Sequence, residues 1–193
     1  MRVAVAASGG GSNLQALLDT LGRDAPAEII LVISNRPGSG ALRRASDKGI
    51  PTAILADPAD GDEWLQVLSG ARIDLVVLAG YLKLVPPAVI QHYRGRIINI
   101  HPALLPDFGG PGMYGERVHA SVLASGATES GATVHLVDEV YDRGPILGQT
   151  RVPVKPGDTP TTLAERVLAA EHQLLPAAVL AAAKAGKPVP FTA

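Results

Sequence analysis

The sequence contains no cysteine, which excludes disulfides, a thiol nucleophile and thiolate metal sites. It carries almost no excess charge: 17 Lys and Arg against 18 Asp and Glu leave a formal net charge of −1. Such a balance supplies no basic footprint for DNA or RNA, so no nucleic-acid partner is expected. Long apolar runs are missing as well. The stretch Val3 to Ala7 is too short for a signal-peptide core and runs straight into glycines. No run approaches the length of a membrane span, so no membrane partner is expected and the cytoplasm is the expected compartment. The five histidines are scattered, with no H-E-x-x-H or H-x-H spacing, and no metal site is expected. His92, His119 and His172 read as surface or structural residues. There is no G-x-S-x-G elbow for a serine hydrolase and no Walker lysine for a P-loop phosphotransferase. Aromatics, at 4%, are few; with abundant Ala, Gly, Pro and Arg they reflect a compositional bias that carries no functional reading.

What is present is 47% hydrophobic and 18% charged residues over 193 positions, the composition of one soluble globular domain. Arg2 to Ala7 is a short apolar strand, followed by Ser8-Gly9-Gly10-Gly11-Ser12-Asn13. Leu14, Leu17, Leu18 and Leu21 then fall at i, i+3, i+4 and i+7, the stripe of an amphipathic helix. Strand, glycine turn and helix open a nucleotide-binding α/β fold. Ser12 or Asn13 is expected to cap the helix, whose free N–H groups can hold a phosphate; the turn can equally be a plain connector. Leu14 replaces the third glycine of the dinucleotide fingerprint, and Asn35-Arg36 ends the second strand without the acidic residue that grips an NAD ribose. Arg36 keeps an NADP enzyme as a rival.

Strand and helix go on alternating. A helix is expected over Ala41 to Lys48, a strand over Thr52 to Leu55, and a helix carrying Trp64, Leu65 and Leu68. Leu75 to Ala79 is continuously apolar, as a central parallel strand is, and Pro86-Pro87 starts a helix through Tyr93. The predicted fold is α/β, a Rossmann-like doubly wound, mostly parallel sheet with an antiparallel C-terminal strand, in a single domain over 1–193.

Ile97-Ile98-Asn99-Ile100-His101-Pro102 is the centre of the chain. In a strand, Ile98 and Ile100 face one side while Asn99 and His101 face the other, and Pro102 ends the ladder. An amide can hold a developing oxyanion and an imidazole can move a proton; a polar pair satisfied by backbone is the alternative. Pro102 to Pro106 reads as rigid and exposed, and Asp107 to Gly115, with four glycines, as a flexible loop able to close over a site. Later come a helix over Glu116 to Ala124, strands at Thr133 to Val137 and Pro145 to Val154, and a long helix capped by Asp158 or Thr159. On that helix Glu171 has only apolar neighbours at three and four residues: Val167, Leu168, Leu174 and Leu175. A buried carboxylate needs a partner, either an arginine such as Arg166 or a ligand's hydroxyl or amine.

The segments Ser8 to Gln15, Val77 to Tyr81, Ile98 to Pro106, Gly131 to His135, Gly144-Pro145-Ile146 and Glu171-His172 resemble, in this order, the folate-dependent formyltransferases. Within that family the match is to the phosphoribosylglycinamide formyltransferases of purine synthesis, over almost the whole chain. The Asn-x-His-Pro-x-Leu-Leu-Pro core, with Asp142 seven residues past His135, is the specific part. The resemblance implies transfer of a formyl group from 10-formyltetrahydrofolate, as co-substrate, to the amine of glycinamide ribonucleotide. Asn99, His101 and Asp142 match the catalytic trio, with His135 in support. Asp142 is expected to raise the pKa of His101. Gly10, Gly11, Ser12 and Asn13 match the phosphate cradle and Glu171 the ribose-side carboxylate. Leu82, Lys83, Leu84 and Val85 match the folate loop, with Asp138, Glu139 and Val140 on the facing wall. Residues 1–100 would then be the phosphate-binding half and 101–193 the folate-binding and catalytic half.

Two departures stand out. Gly61-Asp62-Glu63 occupies the place where the family often carries a basic residue for the folate's glutamate tail, and the 107–115 loop is longer and richer in glycine. The implied partners are small molecules, for a monomer or homodimer. Rival readings are formyltetrahydrofolate deformylase, disfavoured because the chain opens directly on its first strand, and methionyl-tRNA formyltransferase, disfavoured by the lack of a basic surface. A non-catalytic nucleotide- or folate-binding module is the rival from another class.

Overall fold

The computed structural model describes residues 1–22 and 24–192. Among them seven strands form one sheet: β1 (Arg2–Ala6), β2 (Glu28–Ser34), β3 (Thr52–Ile54), β4 (Leu75–Leu78), β5 (Ile97–His101), β6 (Glu129–Leu136) and β7 (Ile146–Pro153). The helices are α1 (Ser12–Thr20), α2 (Gly40–Asp47), α3 (Gly61–Gly70), α4 (Pro87–His92), α5 (Glu116–Ala124) and α6 (Pro160–Ala185). Strand order is β3-β2-β1-β4-β5-β6-β7, with β1 to β5 parallel, β6 antiparallel to β5, and β7 antiparallel to β6. The expected doubly wound, mostly parallel sheet is therefore the fold. The boundary expected near residue 100 falls inside β5, and the sheet runs through it unbroken.

The alternation of β1 explains the layering. Val3 and Val5 face a core shared with α1, α2, α5 and α6; Ala4 and Ala6 face a second core built with α3 and α4. In β4, Leu75 and Val77 go to the first core and Val76 and Leu78 to the second, so the strand has no polar face. In β5, Ile98 and Ile100 enter the first core and Ile97 the second. Asn99 and His101 therefore emerge on the Ile97 side, at the strand's carboxyl end.

Side-chain caps set the start of three of the six helices described. Ser39 accepts from the Leu42 N–H, Asp60 from those of Asp62 and Glu63, and Thr159 forms a reciprocal capping box with Thr162 ahead of Pro160. In α1 the expected cap is absent. Gly11, at φ 74°, stands at the N-cap with no side-chain hydrogen bond, and Ser12 and Asn13 lie inside the helix. The Asn13 amide is committed elsewhere, as described below.

The sheet changes direction of winding between β1 and β4, and open α/β sheets bind ligands at the carboxyl edge of that point. Ser8 knits the edge together. Its N–H donates to the Gly80 carbonyl at 3.0 Å; its hydroxyl donates to Asn35 Oδ1 at 2.7 Å and accepts the Leu82 N–H at 2.9 Å. The segment after β5 is not the exposed one expected. Ala103 and Leu105 are buried, because Thr133 Oγ1 donates to the Ala103 carbonyl at 2.6 Å and accepts the Leu105 N–H at 3.1 Å. Gln149 Nε2 adds a bond to the Leu105 carbonyl at 2.9 Å. Backbone groups that would otherwise need water are satisfied from β6 and β7.

Candidate active site

Antiparallel pairing sets Asn99 on β5 directly opposite His135 on β6. Asn99 Nδ2 lies 3.1 Å from His135 Nε2, and His135 Nδ1 lies 2.8 Å from the Leu136 carbonyl. A carbonyl can only accept, so the His135 proton sits on Nδ1, and Nε2 accepts from the amide. That bond fixes which way Asn99 points and leaves its second N–H to the cavity.

Asp142 comes to the same place from the loop between β6 and β7. Its backbone is left-handed, at φ 55°, a conformation that Asp tolerates better than most residues. Oδ1 is 3.4 Å from His135 Nε2, Oδ2 is 3.6 Å from His101 Nδ1, and Oδ2 accepts the Gly110 N–H at 2.8 Å. The other nitrogen of His101, Nε2, donates to the Phe108 carbonyl at 2.8 Å. The 107–115 loop is therefore fastened to both His101 and Asp142. It approaches Asp142 so closely that a Cβ on Gly109 would sit 3.1 Å from Asp142 Cβ and against Leu105.

Burial dominates the electrostatics of His101. It lowers the imidazole pKa, and the nearby Asp142 carboxylate and Phe108 carbonyl offset this only in part. Asp142 acts in the expected direction, but the net shift is downward. For Asp142 itself burial works upward and is outweighed by the His135 and His101 imidazoles at its oxygens and by the Gly110 N–H, so the carboxyl stays below its usual range.

A further part of the site is built by α1 and α6. Glu171 is buried and accepts the Asn13 Nδ2–H at 2.6 Å. Arg166, the expected partner, instead forms a two-pronged pair with Asp158, 2.7 and 2.9 Å long, at the start of its own helix. Burial pushes Glu171 up to about 7, against the lowering effect of the Asn13 bond. Beside it, the glycine loop turns its carbonyls toward α2: Ala41 N–H donates to Gly9 O at 3.2 Å and Arg44 Nε to Gly10 O at 2.9 Å. Among the described residues, the N–H groups of Gly10, Gly11, Ser12 and Asn13 have no acceptor. They are oriented donors at a helix N-terminus.

A single cavity of about 640 Å³ joins these parts. Asn99, His101, His135 and Asp142 line it, as do Leu82 to Val85 with Val137, Asp138, Val140 and Tyr141, and Asn13, Leu168 and Glu171. Compared with known families, residues 1–179 match the formyl transferase model.

The chain belongs to the formyl transferase family.

Among curated proteins of the family, it is 44% identical over 181 residues to phosphoribosylglycinamide formyltransferase, chloroplastic, of Arabidopsis thaliana. That match covers 90% of this chain and 62% of the relative, so the chain spans about three fifths of that protein's length. It is 43% identical to phosphoribosylglycinamide formyltransferase of Mycobacterium tuberculosis, covering 96% of this chain and 86% of the relative. The crystal structure of phosphoribosylglycinamide formyltransferase from Anaplasma phagocytophilum superposes with a TM-score of 0.89 at 38% identity, over 95% of this chain and 87% of that one. Among the described residues, no helix is long and apolar enough to cross a membrane.

Not every residue matched to the family from sequence reaches the cavity. Glu139 is off the lining, 3.9 Å from exposed Arg94. Gly10, Gly11 and Ser12 are outside it too, and Ser12 lines a second, shallower cavity of about 470 Å³ with Gln15, Arg44 and His172. Sequence reading gave no role to Ser8, Phe108, Thr133 and Arg44, which act through a hydroxyl, a carbonyl or a guanidinium placed by packing. His119, read from sequence as surface or structural, is 4% exposed and lines the main cavity.

Proposed function

We propose that this chain transfers a formyl group from 10-formyltetrahydrofolate to the amine of 5-phosphoribosylglycinamide. The observation that carries the reading is the union, in one cavity, of the Asn99–His101–Asp142 cluster with Asn13 and Glu171. An acyl-transfer centre then lies within reach of an end suited to a phosphorylated sugar. The relatives that bear this activity in their names support it.

The phosphate would lie on the N–H groups of Gly10 to Asn13, and the ribose hydroxyls would donate to Glu171. The folate ring would enter between Leu82–Val85 and Asp138–Val140, a wall with exposed apolar Leu82, Leu84 and Val140. The substrate amine attacks the formyl carbon, and the carbonyl electron pair moves onto its oxygen. Asn99 donates its free N–H to that oxyanion. His101 joins it when its Nε2–H exchanges the Phe108 carbonyl for the oxyanion, a shift of the 107–115 loop. Asp142 faces Nδ1 and favours the imidazolium form. The carbon–nitrogen bond to the folate then breaks, the amine loses a proton and the folate nitrogen gains one. His101 and Asp142 are the groups placed to relay it.

The test is mass-spectrometric detection of formylated ribonucleotide from 10-formyltetrahydrofolate with glycinamide ribonucleotide present or omitted. Wild type is expected to form it only with both substrates. Asn99→Ala is expected to be slower by about a hundredfold or more, as for loss of an oxyanion donor. Formate and tetrahydrofolate released without the ribonucleotide would instead identify a deformylase, and binding without turnover a non-catalytic module.

A further inference from the structure

His119 is a buried titratable group at this site that the reaction above does not use. It lies on α5, flanked by Val118 in the core, and is 4% exposed. No side-chain hydrogen bond engages it among the described residues, and its Nδ1 is sealed from solvent without a partner. A buried imidazole nitrogen left unpaired costs stability that an apolar side chain of similar shape would not. Burial and the His101 charge both lower its pKa, with Glu116 opposing, so the ring is held neutral. A neutral imidazole carries one donor and one acceptor nitrogen.

The position of α5 says where such a ring is useful. This helix packs on α6, which carries Glu171, and His119 lines the same cavity as His101 and Glu171. On the proposed reading, ribose is held at Glu171 and the amine is delivered to the carbon beside Asn99 and His101. The part of the substrate that must cross between them is an amide, with one C=O acceptor and one N–H donor. We infer that His119 is a substrate-positioning residue that hydrogen-bonds the amide arm of the acceptor and aims its amine. Nδ1 is sealed and cannot meet a ligand, so the bond falls to Nε2, which among the described residues is neither sealed nor bonded and offers one hydrogen bond to the amide. That bond makes His119 specific for an acceptor with a peptide-like linkage, beyond its sugar phosphate.

This rests on the function proposed above, and the two can fail separately. His119→Phe keeps an aromatic ring and removes both nitrogens; His119→Asn and His119→Gln each return an amide near one of them. Steady-state kinetics with each substrate varied, and thermal melts without ligand, would be run on all four proteins. For His119→Phe, kcat/KM for glycinamide ribonucleotide is expected to fall about 10- to 100-fold, with KM for the formyl donor unchanged. One of the two amide variants should recover part of the loss. Because the unpaired nitrogen is gone, His119→Phe should melt at the same temperature or higher, so activity and stability move in opposite directions. Competition by ribose 5-phosphate, which lacks the amide, should be unaffected. Unchanged kinetics in His119→Phe overturns the inference, and so does an equal loss for both substrates with a lower melting temperature, which marks a structural histidine. No formyl transfer by wild type overturns the proposed function and this inference with it.

Discussion

Glu171 is an ionisable side chain whose helical neighbours Val167, Leu174 and Leu175 belong to the core, while Leu168 lines the cavity. Among the described residues its one hydrogen-bond partner is a neutral amide, Asn13, and no cation pairs with it to compensate its charge. A carboxyl raised to about 7 by burial carries a definite sign. The folded state holds this proton more tightly than the unfolded chain. The associated stability is therefore present below the ordinary carboxyl range and is lost as pH rises through about 7. Glu171→Gln keeps an acceptor for Asn13 and has no charge to bury. Its melting temperature should exceed that of wild type at pH 8.5 by more than at pH 5.5, from a penalty on the order of 3 kcal/mol. The same variant should raise KM for the ribonucleotide at least about tenfold, since charge-assisted bonds to the ribose are lost. Melts that track each other across this range would show that the carboxylate is not buried as described. The sequence pattern made Glu171 stand out but did not identify its partner in the chain. Arg166 lies close in sequence yet is taken by Asp158, while Asn13 is 158 residues away.

At the scale of elements, the glycine loop and the first turn of α1 are shaped from behind by α2. Gly11 sits at φ 74°, and a Cβ there would lie 2.7 Å from Ala41 Cα. Gly40 meets the loop from the other side, its would-be Cβ 2.8 Å from the Gly10 carbonyl. Two helices approach at glycines, and the carbonyls of Gly9 and Gly10 are consumed by α2, so the N–H groups are what remains to face a ligand. Gly11→Ala should cost about 1–3 kcal/mol from left-handed strain and the contact with Ala41. Because it tilts the cradle, KM for the ribonucleotide should rise while KM for the formyl donor holds; urea unfolding and two-substrate kinetics check both halves. A reader of the sequence sees three glycines and an amphipathic helix and expects a phosphate turn. That the helix is capped by Gly11, with Asn13 freed for Glu171, depends on how tightly α2 and α6 close in.

For the whole molecule, the open question in any sheet is its edges. β7 is one edge, and the C-terminal segment lies on it: the Phe191 N–H donates to the Leu147 carbonyl at 2.9 Å, and its ring occupies the space a side chain at Gly148 would need. Removing residues 188–193 should uncover that strand, lower the melting temperature by several degrees and increase light scattering on heating. A truncated protein that melts and scatters as the full chain does would assign the edge no such protection.

How far the chain can be read from its residues follows from the range of each interaction. Strand alternation, helix stripes, caps and turn glycines are decided by neighbours a few residues apart. The order of elements, the parallel sheet, and Asn99 with His101 at the end of β5 were therefore legible. The sequence alone also marked Glu171 as a misplaced charge and Asp142 as a loop carboxylate. Only tertiary structure decided that β6 would set His135 against Asn99, that Phe108 would engage His101, and that His119 would be sealed into the cavity. It also exchanged the nearby arginine for a distant asparagine as the partner of Glu171. These contacts join residues far apart in the chain, whose meeting depends on register and packing, and no local pattern of side chains encodes that.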